Sequence, residues 1–150
     1  MTWINPDETA IEEFARQVPD GQAIVMINLL RYRDSASLQG ETLTGRQCYE
    51  KYEQAVLPLL IQIGGRVVWR GKPRFVVIGP PDERWDDAIL VRYPSRSAFG
   101  SMVNSPEYRA IMPFRTAALE DSRLIATTAP QSIGRLAWWL FRLTSQFRRN

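Results

Sequence analysis

Apolar residues along this chain gather in short β-suited runs and in helical stripes, and one run frames the rest. From Ala23 to Arg33 it reads Ala-Ile-Val-Met-Ile-Asn-Leu-Leu-Arg-Tyr-Arg, without the alternation of a strand that keeps one wet face. Ile24, Met26 and Leu30 point one way, while Val25, Ile27 and Leu29 point the other. A strand of this kind must be covered on both sides. Asn28 falls with Met26, Leu30 and Tyr32, and Arg31 falls with Ile27 and Leu29.

Upstream, Asn5-Pro6-Asp7-Glu8 predicts a helix start with Asn5 as the cap. Ile11, Phe14, Ala15 and Val18 follow at helical spacing until Pro19-Asp20-Gly21 stops them. Downstream, Asp34 to Leu43 is polar and reads as a loop. Thr44 and Gln47 form a capping box that opens a helix carrying Tyr49, Tyr52, Val56, Leu59, Leu60 and Ile63, bent at Pro58 and ended by Gly64-Gly65.

Arg66 to Arg70 predicts a strand, interrupted at Gly71-Lys72-Pro73 and resumed by Phe75 to Ile78 as a bulged continuation. The acidic loop Asp82 to Asp87 leads into a strand from Ala88 to Tyr93. Ser95 then caps a helix with Ala98, Phe99, Met102 and Val103. Ser105-Pro106-Glu107 opens another with Tyr108, Ile111, Met112, Arg115, Ala118 and Leu119, and Arg123 to Thr127 is the last strand.

From residue 22 the order is β-α-β-β-α-β, an α+β ferredoxin-like arrangement with four antiparallel strands and both helices on one face. This domain, 22–129, follows an N-terminal helical extension, 1–21, and precedes a C-terminal helix, 130–150. The second sheet face is then left for a twin, which predicts a homodimer joined through the open face.

Composition narrows the chemistry. One cysteine, Cys48, precludes an internal disulfide and fits a reducing compartment. With no histidine, neither a histidine-based nucleophile system nor a His-ligated zinc, haem or iron site can be built. Neither a cofactor nor a metal is expected. The acids Asp82, Glu83, Asp86 and Asp87 lack the spacing of a calcium loop and read as a solvated turn paired with Arg84. Cys48 reads as a packed thiol.

The charge of +3 is concentrated at the end of the chain. Arg135, Arg142, Arg148 and Arg149 follow Pro130 without an acid, leaving 15 basic and 16 acidic groups before it. The pI near 9.3 therefore belongs to a tail, and the domain has no charge reason to bind nucleic acid. In that tail Ile133, Leu136, Ala137, Leu140, Leu143 and Phe147 share one helical face, opposite Arg135, Arg142 and Arg149, with Trp138 and Trp139 alongside. The first reading of such a helix is packing on its own dimer or a neighbouring protomer with its arginines in water, and the second is a membrane interface. No basic n-region precedes an apolar core at the N-terminus. The expected location is cytoplasmic, with peripheral membrane contact through the tail as the variant.

Several segments together resemble the domain-of-unknown-function family numbered 1330. They are Met26 to Arg33, Tyr49 to Tyr52, Gly64-Gly65, Glu83 to Asp86, Tyr93 to Ser95, Ser105 to Tyr108, Arg115, and Ala117 to Ser122. The resemblance spans roughly residues 22 to 127 and leaves out the tail. It implies a dimeric α+β-barrel fold shared with small monooxygenases, isomerases and haem-binding relatives, and no established reaction. His-dependent members are poor guides to a chain without histidine.

In such a fold a cavity between sheet and helices is the expected ligand site. Asn28, Arg31, Tyr52, Trp69, Trp85, Tyr93 and Arg115 are the residues expected to approach it. Arg31, Tyr93 and Arg115 are the catalytic candidates: a guanidinium holding a carboxylate or enolate oxygen, a tyrosine moving the proton. Against this, Arg115 could pair with Glu120 or Asp121, Asn28 could be a satisfied core amide, and Tyr52 and Tyr93 could simply pack. The expected function is that of a small-molecule-binding dimer, or a cofactor-independent, monooxygenase- or isomerase-like enzyme on an enolisable or aromatic substrate. The alternative is a non-catalytic binding or regulatory module docked to a membrane or partner by its C-terminal helix.

Overall fold

The computed structural model describes residues 3–128, so the predicted C-terminal helix lies outside the described residues. The elements are α1 (Glu8–Gln17), β1 (Ile24–Tyr32), β2 (Ala36–Leu38), β3 (Glu41–Leu43), α2 (Gly45–Gln62), β4 (Arg66–Gly71), β5 (Asp87–Tyr93), α3 (Arg96–Val103), α4 (Pro106–Ala118) and β6 (Leu119–Thr128). The main sheet has four antiparallel strands in the order β4-β5-β1-β6. This is the α+β ferredoxin-like arrangement expected from the pattern, with β1 central. Among the described residues no helix is long and apolar enough to cross a membrane.

Register explains how the two faces of β1 are used. Met26 lies opposite Val91 and Ala126, and Leu30 opposite Asp87 and Ser122, so these residues share the helix-covered face. There, Leu30, Cys48, Tyr49, Tyr52, Ile89, Ala118 and Leu119 make one core, and Ile24, Met26, Leu60, Tyr93 and Met102 a second. Cys48 is fully buried, and its thiol contacts the Phe114 carbonyl oxygen at 3.2 Å. On the other face Val25, Ile27, Leu29 and Arg31 are only half-buried, with Trp69 and Ile125 beside them still 53% and 47% exposed.

Four local expectations are corrected. Helix α1 is capped by Asp7, whose carboxylate accepts from the Ala10 amide at 2.7 Å. Asn5 is drawn instead to Thr116 on α4, at 3.2 Å. The polar stretch after β1 folds into the hairpin β2–β3, turned at Gln39 and Gly40 with φ of 54° and 80°. Positive φ at both turn positions matches the right-handed strand twist, and a residue-Gly pair was the signal for it.

Phe75 to Ile78 does not resume β4, because β5 begins at Asp87, beside the Gly71–Ala88 pair, and among the described residues no other strand runs along that edge. Phe75, Val77 and Ile78 stand 83%, 83% and 94% exposed. The irregularity in β4 falls earlier, between Val67 and Trp69. Finally, β6 begins at Leu119, four residues before the predicted start, because the chain passes from α4 directly into pairing with β1.

The capping box is present: the Gln47 amide donates to Thr44 Oγ1 at 3.2 Å, and the Thr44 amide donates to Gln47 Oε1 at 2.9 Å. Pro58 sits inside α2 on its exposed side and removes one rung of the helix. Pro58→Ala should restore that rung and raise stability by about 1 kcal/mol, the helical gain being offset by a freer unfolded chain. Urea denaturation would show it, and no gain would mean that α2 is strained elsewhere.

Candidate functional site

The ends of three strands and the start of one helix meet around an open polar cleft of about 820 Å³. Tyr32, Arg33 and Asp34 come from the end of β1, and Thr44 and Arg46 from the start of α2. Arg70, Gly71 and Lys72 come from the end of β4, and Asp86 and Asp87 from the start of β5.

Asp87 anchors this cleft. It continues the inward parity of Ile89, Val91 and Tyr93, so the strand carries its carboxylate inward, where it is 3% exposed. Its oxygens accept from the Tyr32 hydroxyl at 3.1 Å, Arg46 Nη1 at 3.0 Å, Arg70 Nε at 3.1 Å, and Arg70 Nη2. Each guanidinium has a second acid: Arg46 Nε meets Glu50 at 3.0 Å and Arg70 Nη1 meets Glu53 at 2.9 Å. The result is a chain of alternating charge. Asp86 completes the corner by accepting the Tyr32 amide at 2.8 Å.

The electrostatics follow from burial and these contacts. Burial, reinforced by the Asp87 charge, pushes the Tyr32 hydroxyl far above its ordinary range, so it remains a donor. Hydrogen bonding to Asp87 raises Arg70 further. Burial lifts the Glu53 carboxyl above its usual value although Arg70 pulls it down. Behind the cleft, Tyr49 lies 5.4 Å from Tyr32 and 5.3 Å from Tyr52, ring centre to ring centre. This aromatic wall ends where the Tyr52 and Tyr108 hydroxyls meet at 3.1 Å.

None of the seven residues expected at the site lines this cleft. Asn28 is on the helix side and donates to the Met26 and Ile89 carbonyls, both at 3.3 Å, as a satisfied amide. Arg31 is on the open face, with Nε 3.1 Å from Glu120 and Nη2 3.9 Å from Asp121. The β1–β6 register shifts after Arg31, making Glu120 the extra residue that reaches it. Tyr52 and Tyr93 are core residues whose hydroxyls burial holds protonated. Tyr93 packs edge-on to Phe99 at 5.0 Å. Trp69 faces outward from β4, and the Trp85 ring lies under Arg123, whose guanidinium carbon is 5.1 Å away.

Arg115 pairs with neither Glu120 nor Asp121. It is buried and donates to the Ile4 carbonyl at 2.6 Å and to Ser122 Oγ at 3.4 Å, fastening the N-terminal segment to α4 and β6. The Trp3 amide donates to Asp121 at 2.7 Å, and the Ser122 amide to the Trp3 carbonyl at 2.6 Å. Burial opposes the Asp121 charge, but the Trp3 amide and Arg123 outweigh it, so its carboxyl sits below its ordinary 3.8. A depressed carboxyl contributes stability above that ordinary value and loses it as pH falls through the folded one. The protection of the Trp3 and Ser122 amides against hydrogen exchange, taken relative to their intrinsic rates, should therefore fall below pH 3.8, and Asp121→Asn should flatten that dependence.

The acidic loop is also distributed differently than expected. Arg84 turns to Glu120 at 3.5 Å, Glu83 accepts from the Trp85 indole at 2.9 Å, and Asp86 and Asp87 belong to the cleft. Among the described residues no three metal-ligating side chains cluster. The signal for Asp87 was present in the sequence: a carboxylate two positions before Ile89 has the buried parity of its strand. Arg46 and Arg70 carried no such signal, since only tertiary packing aims them at it.

Comparison with known proteins places this geometry in a family. The protein of unknown function RPA0582 from Rhodopseudomonas palustris is 36% identical, with a TM-score of 0.81 over 88% of this chain and 100% of its own. Its methylated form is 38% identical, with a TM-score of 0.80 over 90% of this chain and 100% of its own. A hydroxynitrile lyase from Passiflora edulis, 11% identical, matches with a TM-score of 0.54 over 75% of this chain and 97% of its own, a likeness of fold alone. No curated protein matches the chain. The family model matches residues 38–129, beginning after β1 and covering the cleft's α2, β4 and β5 sides, and the chain belongs to the family described as Domain of unknown function (DUF1330).

Proposed function

We propose that this protein binds a small molecule in the cleft built on Asp87, and that it works as a homodimer joined through its open sheet faces. The observation that carries the binding reading is the buried Asp87 carboxylate beneath Arg46, Arg70 and Tyr32. Taking a carboxylate and parts of two guanidiniums out of water is costly, and apolar residues of similar size would often be as stable. What the network supplies is fixed direction: hydrogen-bond donors held at the floor of an open cleft before any ligand arrives. The guanidinium N–H groups that Asp87, Glu50 and Glu53 leave over, with Arg33 and Lys72 at the same cleft, favour an oxyanion, which suits recognition of a carboxylate or support of an enolate without a cofactor. Because Asp87 already accepts from every neighbouring donor, it is an anchor rather than a base.

The test is a panel of charged and neutral small metabolites, followed by amide chemical shifts and thermal shift. At least one class should move the Tyr32, Arg46 and Lys72 amides and raise Tm, and Arg46→Gln should weaken it. A panel that moves none of these amides overturns the reading.

Apolar exposure supports the dimer. Trp69 and Ile125 stand open beside the half-buried Ile27 and Leu29, and Phe75, Val77 and Ile78 project from the segment after the edge strand. Exposed apolar groups in such number mark an interface, and a second copy can meet the open sheet face with its own across a twofold axis. Sedimentation should give twice 17.2 kDa, and Trp69→Glu with Ile125→Glu should give monomer. A wild-type monomer at micromolar concentration refutes it.

A further inference from the structure

We propose that the ligand of the cleft is a small organic dianion, held at its two ends by Arg33 and Lys72; this rests on the cleft being a ligand site. Four cations line the cleft, Arg33, Arg46, Arg70 and Lys72, against three acids, Asp34, Asp86 and Asp87. Their commitments differ. Asp87 is saturated by Tyr32, Arg46 and Arg70, and Asp86 is turned to the Tyr32 amide. Arg46 and Arg70 are each shared between Asp87 and a glutamate. Two guanidiniums thus face four acids, Asp86, Asp87, Glu50 and Glu53, so the floor has no positive charge to spare for a ligand.

Arg33 and Lys72 are different: among the described residues neither has an ion-pair partner, and both are exposed. They stand on two elements, one just beyond β1 and the other just beyond β4, so they frame the mouth from separate strands. The backbone of Arg33 is anchored on both sides. Its amide donates to the Ala118 carbonyl at 2.9 Å, and its carbonyl accepts the Gly45 amide at 2.9 Å. Lys72 follows Gly71 at the end of the β4 pairing with β5.

Two uncommitted cations at the mouth, above an acid-rich floor that keeps anionic groups away from it, favour two separated anionic groups over one. The guanidinium N–H groups that Asp87, Glu50 and Glu53 leave over then meet neutral oxygens of the ligand between its ends, while the Tyr32 hydroxyl, its proton given to Asp87, can only accept. Asp34, also at the mouth, repels a third negative group. The shared chemistry of the ligand ends is that of carboxylates or phosphate esters, both of which accept bidentate guanidinium contacts.

The experiment titrates the full chain at low salt with malonate, succinate, glutarate, inorganic phosphate and the neutral succinamide, observed by amide chemical shifts. At least one dicarboxylate should bind ten-fold or more tightly than succinamide. Arg33→Gln and Lys72→Gln should each weaken it five-fold or more with Tm unchanged, since both side chains are exposed. Phosphate that binds as tightly as the best dicarboxylate and depends on only one of the two cations overturns the two-ended site in favour of a single phosphate site. Succinamide equal to succinate, or variants equal to wild type, overturns the dianion while leaving the cleft a ligand site. If no probe moves the cleft amides but members of the neutral panel do, the dianion fails alone; if neither set does, the cleft itself fails as a ligand site.

Discussion

Asp87→Ala is expected to destabilise the protein by about 3 kcal/mol, the lower end of what breaking a buried ion network costs. The carboxylate is 3% exposed and holds Arg46, Arg70 and the Tyr32 hydroxyl. Its loss leaves two guanidiniums facing one another with no charge between them. The cost stays at the lower end because the Arg46 and Arg70 side chains, 47% and 36% exposed, can turn partly to water. Asp87→Asn keeps the shape and part of the hydrogen bonding and should lose less. Adding Arg70→Met and Glu53→Gln to Asp87→Ala should recover part of the loss, because the repulsion between Arg46 and Arg70 is then gone and no acid is left without its partner. Urea denaturation of the three variants decides it, and a loss under about 1 kcal/mol for Asp87→Ala would show that the network is not an anchor.

Gly45→Ala should cost as much or more, about 3 kcal/mol, for a steric reason. A methyl group there would sit 2.4 Å from the Ala118 carbonyl oxygen and 2.5 and 2.6 Å from the Arg33 carbonyl oxygen and amide nitrogen. All three atoms are backbone, so no side chain can swing aside. They also belong to the clamp in which Arg33 donates to Ala118 and accepts from Gly45. The methyl must therefore separate the start of α2 from the end of β1. Because Arg33, Thr44 and Arg46 all line the cleft, ligand binding should fall with stability. Gly100 is the control. It lies within α3, where a methyl group would meet nothing within 4 Å, and Gly100→Ala should stabilise by about 0.5–1 kcal/mol. Equal effects at the two glycines would show that the clamp leaves room for a methyl group after all.

For Arg115 the sequence left two readings, a guanidinium kept for a ligand and a helix residue paired with Glu120 or Asp121. In the fold that charge is spent on the Ile4 carbonyl and Ser122, which tie the chain's beginning to its last strand. The partners lie 111 residues upstream and seven downstream, and no local spacing announces the first of them.

The sequence alone determined the secondary architecture wherever the physics is local. The two-faced β1 pattern, the Thr44–Gln47 capping box, the Ser95 and Ser105 caps and the breaks at Gly64-Gly65 act within a few residues, and they prescribe β-α-β-β-α-β. It also placed Asn28 and Arg31 on opposite faces of β1, because alternation is geometric. Tertiary structure alone decided the cleft. Arg46 reaches Asp87 across 41 residues and Arg70 across 17, and only strand order β4-β5-β1 brings the end of β1, the end of β4 and the start of β5 to one corner. It also decided the fate of Phe75 to Ile78, whose β-suited pattern needs a partner strand that none of the described residues supplies. Hydrophobic periodicity records which side of an element is buried, whereas a site depends on which elements share an end.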